Sequence, residues 1–104
     1  MAAGDLENAA RHLKAAIGLE PENARAHHNL GNVLVDLGDV DGAIGHFEAA
    51  LTIDPASYKT YNSLATAFYY KGERKKAIVL LKKALALYPG YEAARKNLKI
   101  MQQR

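Results

Sequence analysis

The chain contains two consecutive stretches of equal length: residues 24–57, ARAHHNLGNVLVDLGDVDGAIGHFEAALTIDPAS, and residues 58–91, YKTYNSLATAFYYKGERKKAIVLLKKALALYPGY. The step of 34 residues between them recurs in three prolines and three glycines, namely Pro21, Pro55 and Pro89, and Gly4, Gly38 and Gly72. Self-similarity at a fixed period of about 20 to 50 residues is typical of stacked supersecondary units, each of which buries its apolar face against a neighbour. The sequence therefore predicts a repeat array.

Each period contains two apolar stripes at helical spacing, separated by a glycine. Leu30 and Leu34 predict a first helix over about 24–37 in which Asn23 caps the start. Gly38 is expected to end this helix and Asp39 to cap the next, whose apolar stripe ends before Asp54-Pro55. The next period repeats the pattern, with Ser57 as the cap and a turn at Gly72. Segment 5–20 matches only a second helix and segment 91–103 only a first, so we expect six helices and no strands.

The composition, 49% apolar and 24% charged residues, is close to the average of globular proteins and predicts one compact domain over 1–104. Within it we expect the second helix of a partial repeat at 4–20, full repeats at 24–57 and 58–91, and a C-terminal capping helix at 92–104. In each full repeat, a small residue, Gly31 or Ala65, is expected to face Ala43 or Ala77, so that the two backbones approach closely.

The sequence lacks the residues and motifs that several kinds of catalytic and metal chemistry require. The chain has no cysteine, and it shows no glycine-rich phosphate loop, nucleophile elbow or paired-acid motif. His27 and His28 diverge by about 100° on one helix, and His12 and His46 merely share one place in the repeat, so we predict no metal cluster. We expect no catalysis and no cofactor. Without a basic start followed by an apolar core, or a long apolar run, we expect no membrane segment and a cytoplasmic location by default.

The residues that keep the period resemble the tetratricopeptide repeat, a helix-turn-helix of about 34 residues. They are His27, Leu30, Gly31, Leu34, Ala43, Phe47 and Pro55, and then Tyr61, Leu64, Ala65, Phe68, Ala77, Leu81 and Pro89. The resemblance covers nearly the whole chain and departs from the family pattern where His27 replaces a tryptophan and Leu34 a tyrosine. It implies an all-α, helical-repeat solenoid built from antiparallel helix pairs. It also implies a protein-interaction scaffold that holds a partner's extended peptide or helix in a concave groove.

The groove residues implied by this resemblance lie on the first helix of each unit, between the buried stripes. They are Arg25, His28, Asn29 and Asn32; Lys59, Asn62, Ser63, Thr66 and Tyr69; and Lys96 and Asn97. Amide and hydroxyl groups can bond a peptide backbone of any sequence, and the three basic residues favour a carboxylate. The ligand we expect is an extended or acidic peptide of a partner protein. The simpler interpretation is a polar, solvated helix face.

Two ligand-binding patterns of the family can be compared with these positions. For the two-carboxylate clamp that grips chaperone tails, only Asn32 matches, because His28 stands for a lysine, Ser63 for an asparagine, and Ala93 and Asn97 for basic residues. We therefore do not expect binding of chaperone tails. An asparagine ladder is matched at Asn29 and Asn97 with a gap at Ser63, which is too few positions to name a ligand.

Charge is distributed unevenly along the chain. Residues 1–70 carry four basic and nine acidic side chains (minus 5), whereas residues 71–104 carry ten basic and two acidic ones (plus 8), which together give the net charge of +3. The basic residues expected on outer faces are Lys71, Arg74, Lys75, Lys76, Lys82 and Lys83, followed by Arg95, Lys96, Lys99 and Arg104. A solvated face is the simplest interpretation, and nucleic-acid binding near Tyr69, Tyr70 and Tyr88 is an alternative.

The chain opens with an unpaired second helix and closes with an unpaired first helix. Lys99 and Gln102 replace the packing residues of the earlier repeats, so the last helix is expected to be a solvating cap. On the N-terminal helix, Leu6, Ala9, Ala10 and Leu13 are expected to need a partner helix that the sequence does not contain. We expect a fragment of a longer array, and a dimer through this helix is the second choice. The chain itself is expected to be a monomer or a weak dimer. A purely structural or oligomerisation segment is thus the main alternative to a peptide-binding scaffold.

Overall fold

Six α-helices account for most of residues 3–103, the part of the chain that the computed structural model describes. They are α1 (Ala3–Leu19), α2 (Ala24–Asp36), α3 (Val40–Ile53), α4 (Tyr58–Tyr70), α5 (Arg74–Leu87) and α6 (Glu92–Gln102). No strand occurs within these residues, and the predicted all-α repeat architecture of six helices is confirmed.

Three helices begin at the capping residues that the sequence predicts. The side chain of Asn23 accepts a hydrogen bond from the backbone N–H of Ala26 at 3.0 Å, and Asp39 accepts one from Gly42 at 3.0 Å. Ser57 accepts one from the N–H of Thr60 at 3.4 Å. These bonds satisfy donors that the first turn of a helix leaves unpaired.

The turn between the two helices of each repeat depends on one glycine. Gly38 has φ of 89° and Gly72 has φ of 83°, a left-handed conformation that glycine adopts without steric cost. In both turns the residue after the glycine donates its N–H to a carbonyl five residues earlier, from Asp39 to Leu34 at 2.8 Å and from Glu73 to Phe68 at 2.9 Å. This pattern ends the first helix and reverses the chain.

The chain divides into two compact units, one ending at Pro55 and the other beginning at Ala56. This boundary lies close to the repeat boundary predicted between residues 57 and 58, and the single domain over 1–104 stays a prediction. In the first unit, α2 packs against both α1 and α3. The residues buried there are Leu6, Ala10, Ala26, His27, Leu30, Gly31, Leu34, Ala43, Ile44, Phe47 and Ala50.

The N-terminal helix is better covered than the sequence suggested. Leu6 and Ala10 are buried, because α1 packs against α2, the first helix of the following repeat. Ala9 and Leu13 are half-buried. The expectation that all four residues need a partner from outside the chain is therefore wrong for Leu6 and Ala10.

The close approach predicted at Gly31 involves an aromatic ring. A Cβ atom added to Gly31 would lie 2.5 Å from Cε1 of Phe47, a distance that side chains do not tolerate. Phe47 is fully buried, so its ring has no room to withdraw without disturbing the core of the unit. The small residue is thus required by Phe47 on α3, four residues beyond the expected Ala43.

In the second unit, α5 packs against α4 and α6, and α4 also contacts α6. The core consists of Ala65, Ala77, Leu81, Ala84, Ala94 and Met101, with partly buried apolar residues around it. The guanidinium of Arg74 donates to the backbone carbonyl of Met101 and so links the start of α5 to the end of α6. Among the described helices, none combines the length and apolar character needed to cross a membrane.

Candidate functional site

The predicted residues of the first unit lie on the accessible side of α2. Arg25, Asn29 and Asn32 are exposed, whereas His28 is half-buried, with its ring centroid 5.8 Å from that of Phe47. The amide of Asn32 lies 3.1 Å from Nε2 of His28. If the amide nitrogen donates, the imidazole must be unprotonated at Nε2, so His28 acts as an acceptor here rather than as a substitute for a lysine.

The predicted residues of α4 are also accessible, but to different degrees. Lys59 and Tyr69 are exposed, whereas Asn62, Ser63 and Thr66 are half-buried. The hydroxyl of Thr66 donates to the backbone carbonyl of Asn62 at 3.1 Å, which uses its only proton within the helix. Thr66 can therefore offer a ligand only acceptor capacity while this bond is formed.

A side-chain hydrogen bond joins α4 to α6 in the second unit. Nδ2 of Asn97 donates to Oδ1 of Asn62 at 3.0 Å, and both residues are half-buried. Tyr91, the residue that precedes α6, lies close enough to Asn62 for the amide to influence its phenol. Burial raises the pKa of the Tyr91 phenol and Tyr58 adds to the rise, while Asn62 opposes it. The side chain of Asn62 is thus held by Asn97 of α6.

This arrangement fixes two amides side by side on an accessible face. An asparagine amide offers two N–H donors and an oxygen with two lone pairs. In the described part of the chain, Asn97 spends one donor on Asn62, so its carbonyl oxygen can still accept a hydrogen bond and its second N–H can still donate. The pair can thus present the donor and the acceptor that an extended peptide backbone requires.

The charge near this face is positive. Lys59 on α4 and Lys96 on α6 are exposed, and neither forms an ion pair with any residue of 3–103. Arg25, in the first unit, is likewise exposed. Exposed ammonium groups without an intramolecular partner can bind a carboxylate, although solvent and salt weaken each contact.

A histidine pair in the first unit escaped the sequence analysis. Nδ1 of His27 and Nδ1 of His46 are 3.0 Å apart, and the rings stack with centroids 5.2 Å apart. Nε2 of His27 lies 3.0 Å from the carbonyl oxygen of Pro21, which can only accept, so this nitrogen carries a proton. The repeat register could have indicated this contact, because Tyr61 and Leu80 of the next repeat occupy the positions equivalent to His27 and His46.

Burial lowers the pKa of His46, and the neighbouring His27 and Lys14 lower it further, whereas Asp39 raises it. Two imidazoles are too few for a protein metal centre. Across residues 3–103 no cluster of three or more histidine, cysteine or acidic residues could hold a metal ion. The pair therefore serves the packing of α2 against α3.

A second missed cluster consists of three tyrosines at the Pro89 turn. The ring centroid of Tyr58 lies 4.9 Å from that of Tyr88 and 4.9 Å from that of Tyr91. Tyr88 follows α5, whereas Tyr69 and Tyr70 end α4, at the opposite end of this helix pair. The 14 residues of α5 span about 21 Å, which separates Tyr88 from Tyr69 and Tyr70. These last three tyrosines, which the sequence suggested for a nucleic-acid surface, therefore do not form one patch.

Family models described as tetratricopeptide repeat match residues 1–58 and residues 59–88. The chain belongs to the tetratricopeptide repeat family. Repeats of this family are typically non-catalytic protein-interaction domains. The resemblance seen in the sequence is thereby confirmed.

Solved structures of tetratricopeptide proteins have the same fold. MamA is 28% identical with a TM-score of 0.88, and the match covers 94% of this chain and 57% of MamA. YrrB, described as a TPR protein with an unusual peptide-binding site, is 26% identical with a TM-score of 0.87 over 90% of this chain and 48% of YrrB. The chain thus spans about half the length of these proteins. No curated protein matches it in sequence.

A third structure supports the fold alone. The first TPR of Spaghetti (RPAP3), solved with an HSP90 peptide, is 18% identical with a TM-score of 0.92. The match covers 96% of this chain and 79% of that domain. This high structural similarity at 18% identity shows that the same backbone fold forms from largely different sequences.

Proposed function

We propose that this tetratricopeptide chain binds an extended segment of a partner protein, without a cofactor or catalysis. The contacts are centred on the α4–α6 face of the second unit, at Asn62, Ser63 and Asn97. The accessible residues of α2 are proposed as contacts of the same kind on the first unit.

The observation that carries the proposal is the hydrogen bond between Asn97 and Asn62. A solvated face has no need to fix two amides across two helices, since each amide could bond to water at little cost. Holding them in one orientation reduces the entropy that a bound peptide would otherwise have to remove. The similarity to YrrB, a TPR protein with an unusual peptide-binding site, adds support at 26% identity.

The exposed lysines indicate which peptides bind best. Lys59 lies three residues before Asn62 on α4, and Lys96 lies one residue before Asn97 on α6. A ligand with one or two carboxylates is therefore favoured over a neutral one, with a preference that falls as salt screens the charges. We propose an acidic, extended peptide as the ligand class.

A selection from a displayed library of random peptides tests this function. The double variant Asn62→Ala, Asn97→Ala should weaken the selected peptides about tenfold, because two hydrogen bonds of about 0.5–1.5 kcal/mol each are removed. The matched control is Arg11→Ala, Lys14→Ala, which alters two exposed basic residues of α1 and should change the Kd less than twofold. Both variants must keep the helicity and the Tm of the parent chain.

Each outcome decides between the two interpretations of the face. Peptides whose binding depends on Asn62 and Asn97 would support the α4–α6 face as the functional site. A library that yields no binder, or binders that ignore the double variant, would refute the proposal. The alternative would then be the structural or oligomerisation segment, whose polar face is only solvated.

A further inference from the structure

An open cleft of about 340 Å³ lies on the second unit, away from the asparagine pair. Phe68 of α4 and four residues of α5, Lys75, Lys76, Val79 and Leu80, line it. Phe68 and Leu80 are half-buried, whereas Val79 exposes 54% of its surface. An exposed valine by itself is ordinary, but here it forms the edge of an apolar recess.

Four lysines surround this valine because of the helical repeat. Lys75 and Lys76 lie four and three residues before Val79, and Lys82 and Lys83 lie three and four residues after it. Side chains at these spacings are neighbours on the surface of a helix. Val79 is thus the apolar centre of a basic stripe that extends about 12 Å along α5.

The lysines differ in what they already contact. Nζ of Lys76 lies 5.4 Å from the ring centroid of Phe68 and 3.4 Å from a carboxylate oxygen of Glu73, so its stem forms a wall of the cleft. Lys75, Lys82 and Lys83 are exposed and form no ion pair within residues 3–103. Their charges therefore remain available to a partner.

The first repeat shows that the fold does not need this surface. The residues equivalent to Lys75, Val79 and Lys82, 34 positions earlier, are Asp41, Gly45 and Glu48. The same helix pair thus forms with opposite charge and with no side chain at the centre. The apolar centre and the basic rim of α5 are consequently features of the second repeat alone.

We propose that this cleft docks an acidic amphipathic helix of a partner protein, and that this surface is separate from the peptide-binding face. One large apolar side chain of the partner enters beside Phe68 and Val79. Carboxylates one turn before and one turn after that side chain pair with Lys75 and with Lys82 or Lys83. A helix fits because its turns repeat at the same spacing as the lysines of α5.

A panel of acidic helical peptides, each with a central Leu or Phe and Glu residues three and four positions on either side, provides the probe. Fluorescence anisotropy at low salt should give a Kd below about 1 mM for at least one member, with affinity falling as salt rises. Amide chemical shifts should change around Val79 on α5. Scrambled peptides of equal charge should bind more weakly.

Two variants and two controls locate the contact. Val79→Gln should weaken binding about fivefold by removing the apolar centre, and Lys75→Gln with Lys83→Gln should weaken it to a similar extent. Arg95→Gln with Lys99→Gln is the charge-matched control on α6 and should leave the Kd within about twofold. The variant Asn62→Ala, Asn97→Ala should keep this binding, which separates this test from that of the peptide-binding face.

The opposite results would overturn the proposal. Binding that is unaffected by Val79→Gln, or that falls equally in the control, would show only general attraction between charges. A single-stranded oligonucleotide that bound more tightly than every peptide would assign the basic stripe to nucleic acid. Failure of the whole panel to bind would leave the lysines as a solvated face.

Discussion

Gly31 and Phe47 occupy the same positions in the first repeat as Ala65 and Leu81 occupy in the second. Glycine is needed beside Phe47, because a Cβ would lie 2.5 Å from Cε1 of the ring. In the second repeat the larger Ala65 accompanies the smaller Leu81, and both are fully buried. The two repeats therefore fill one equivalent space with different pairs of side chains.

This comparison predicts a coupled effect on stability. Overpacking in Gly31→Ala should lower the free energy of unfolding by about 1–3 kcal/mol. The better helix propensity of alanine should restore about 1 kcal/mol of this loss. Phe47→Leu should cost about 1–2 kcal/mol because it leaves a cavity. The double variant recreates the pair found in the second repeat. Its loss of unfolding free energy should be smaller than the sum of the losses in the two single variants. Urea unfolding followed by circular dichroism measures all three, and strict additivity would contradict the explanation.

The histidine pair predicts that acid weakens the first unit. The pKa of His46 in the folded chain is lowered below 6.5, mainly by burial and then by His27 and Lys14, with Asp39 acting in the other direction. The unfolded chain therefore binds more protons, so stability is complete above about pH 6.5 and is lost as the pH falls through the lowered pKa.

Thermal unfolding measured between pH 7.5 and 5 tests this dependence. The double variant His27→Tyr, His46→Leu, which installs the residues found at Tyr61 and Leu80, should flatten the loss of Tm on acidification. His12→Gln is the control, since His12 is exposed. If Tm falls by the same amount in the parent and in the double variant between these pH values, the histidine pair does not cause the acid sensitivity.

At the scale of the elements, equivalent helices begin differently. Asp39 caps α3 through a 3.0 Å bond from the N–H of Gly42, whereas Glu73, at the equivalent position before α5, makes no side-chain capping bond. The longer side chain of Glu73 instead pairs with Lys76 at 3.4 Å. That ion pair is between accessible groups, and such pairs contribute little to stability.

Alanine substitution at the two helix starts should therefore have unequal effects. Asp39→Ala should destabilise the protein by about 1 kcal/mol, the usual cost of losing a capping bond. Glu73→Ala should change stability by less than about 0.5 kcal/mol, since Glu73 is only partly buried and its side chain makes no capping bond. Chemical denaturation of the two variants under one set of conditions gives the comparison. Equal losses would show that the capping bond of Asp39 is not the source of the effect.

At the scale of the whole molecule, periodicity predicted nearly all of the backbone. Three prolines, two turn glycines and the apolar spacing specify where helices end, and these depend on local chemistry that repeats with the sequence. The accessible positions of Asn62 and Asn97 followed from the same register. Their mutual hydrogen bond did not, because it depends on side-chain rotamers across two helices. The contact between His27 and His46 was missed for the same reason.

The paired substitutions at Gly31 and Phe47 bear on how such proteins can be recombined. A chimera that took the first helix from one repeat and the second helix from the other would place Ala65 against Phe47, or Gly31 against Leu81. The first combination is overfilled and the second contains a void. Transplanting the whole 34-residue module avoids both defects because each small residue travels with its large neighbour. For gene duplication, and for laboratory shuffling of this chain, the inheritable part is thus the helix pair rather than the single helix.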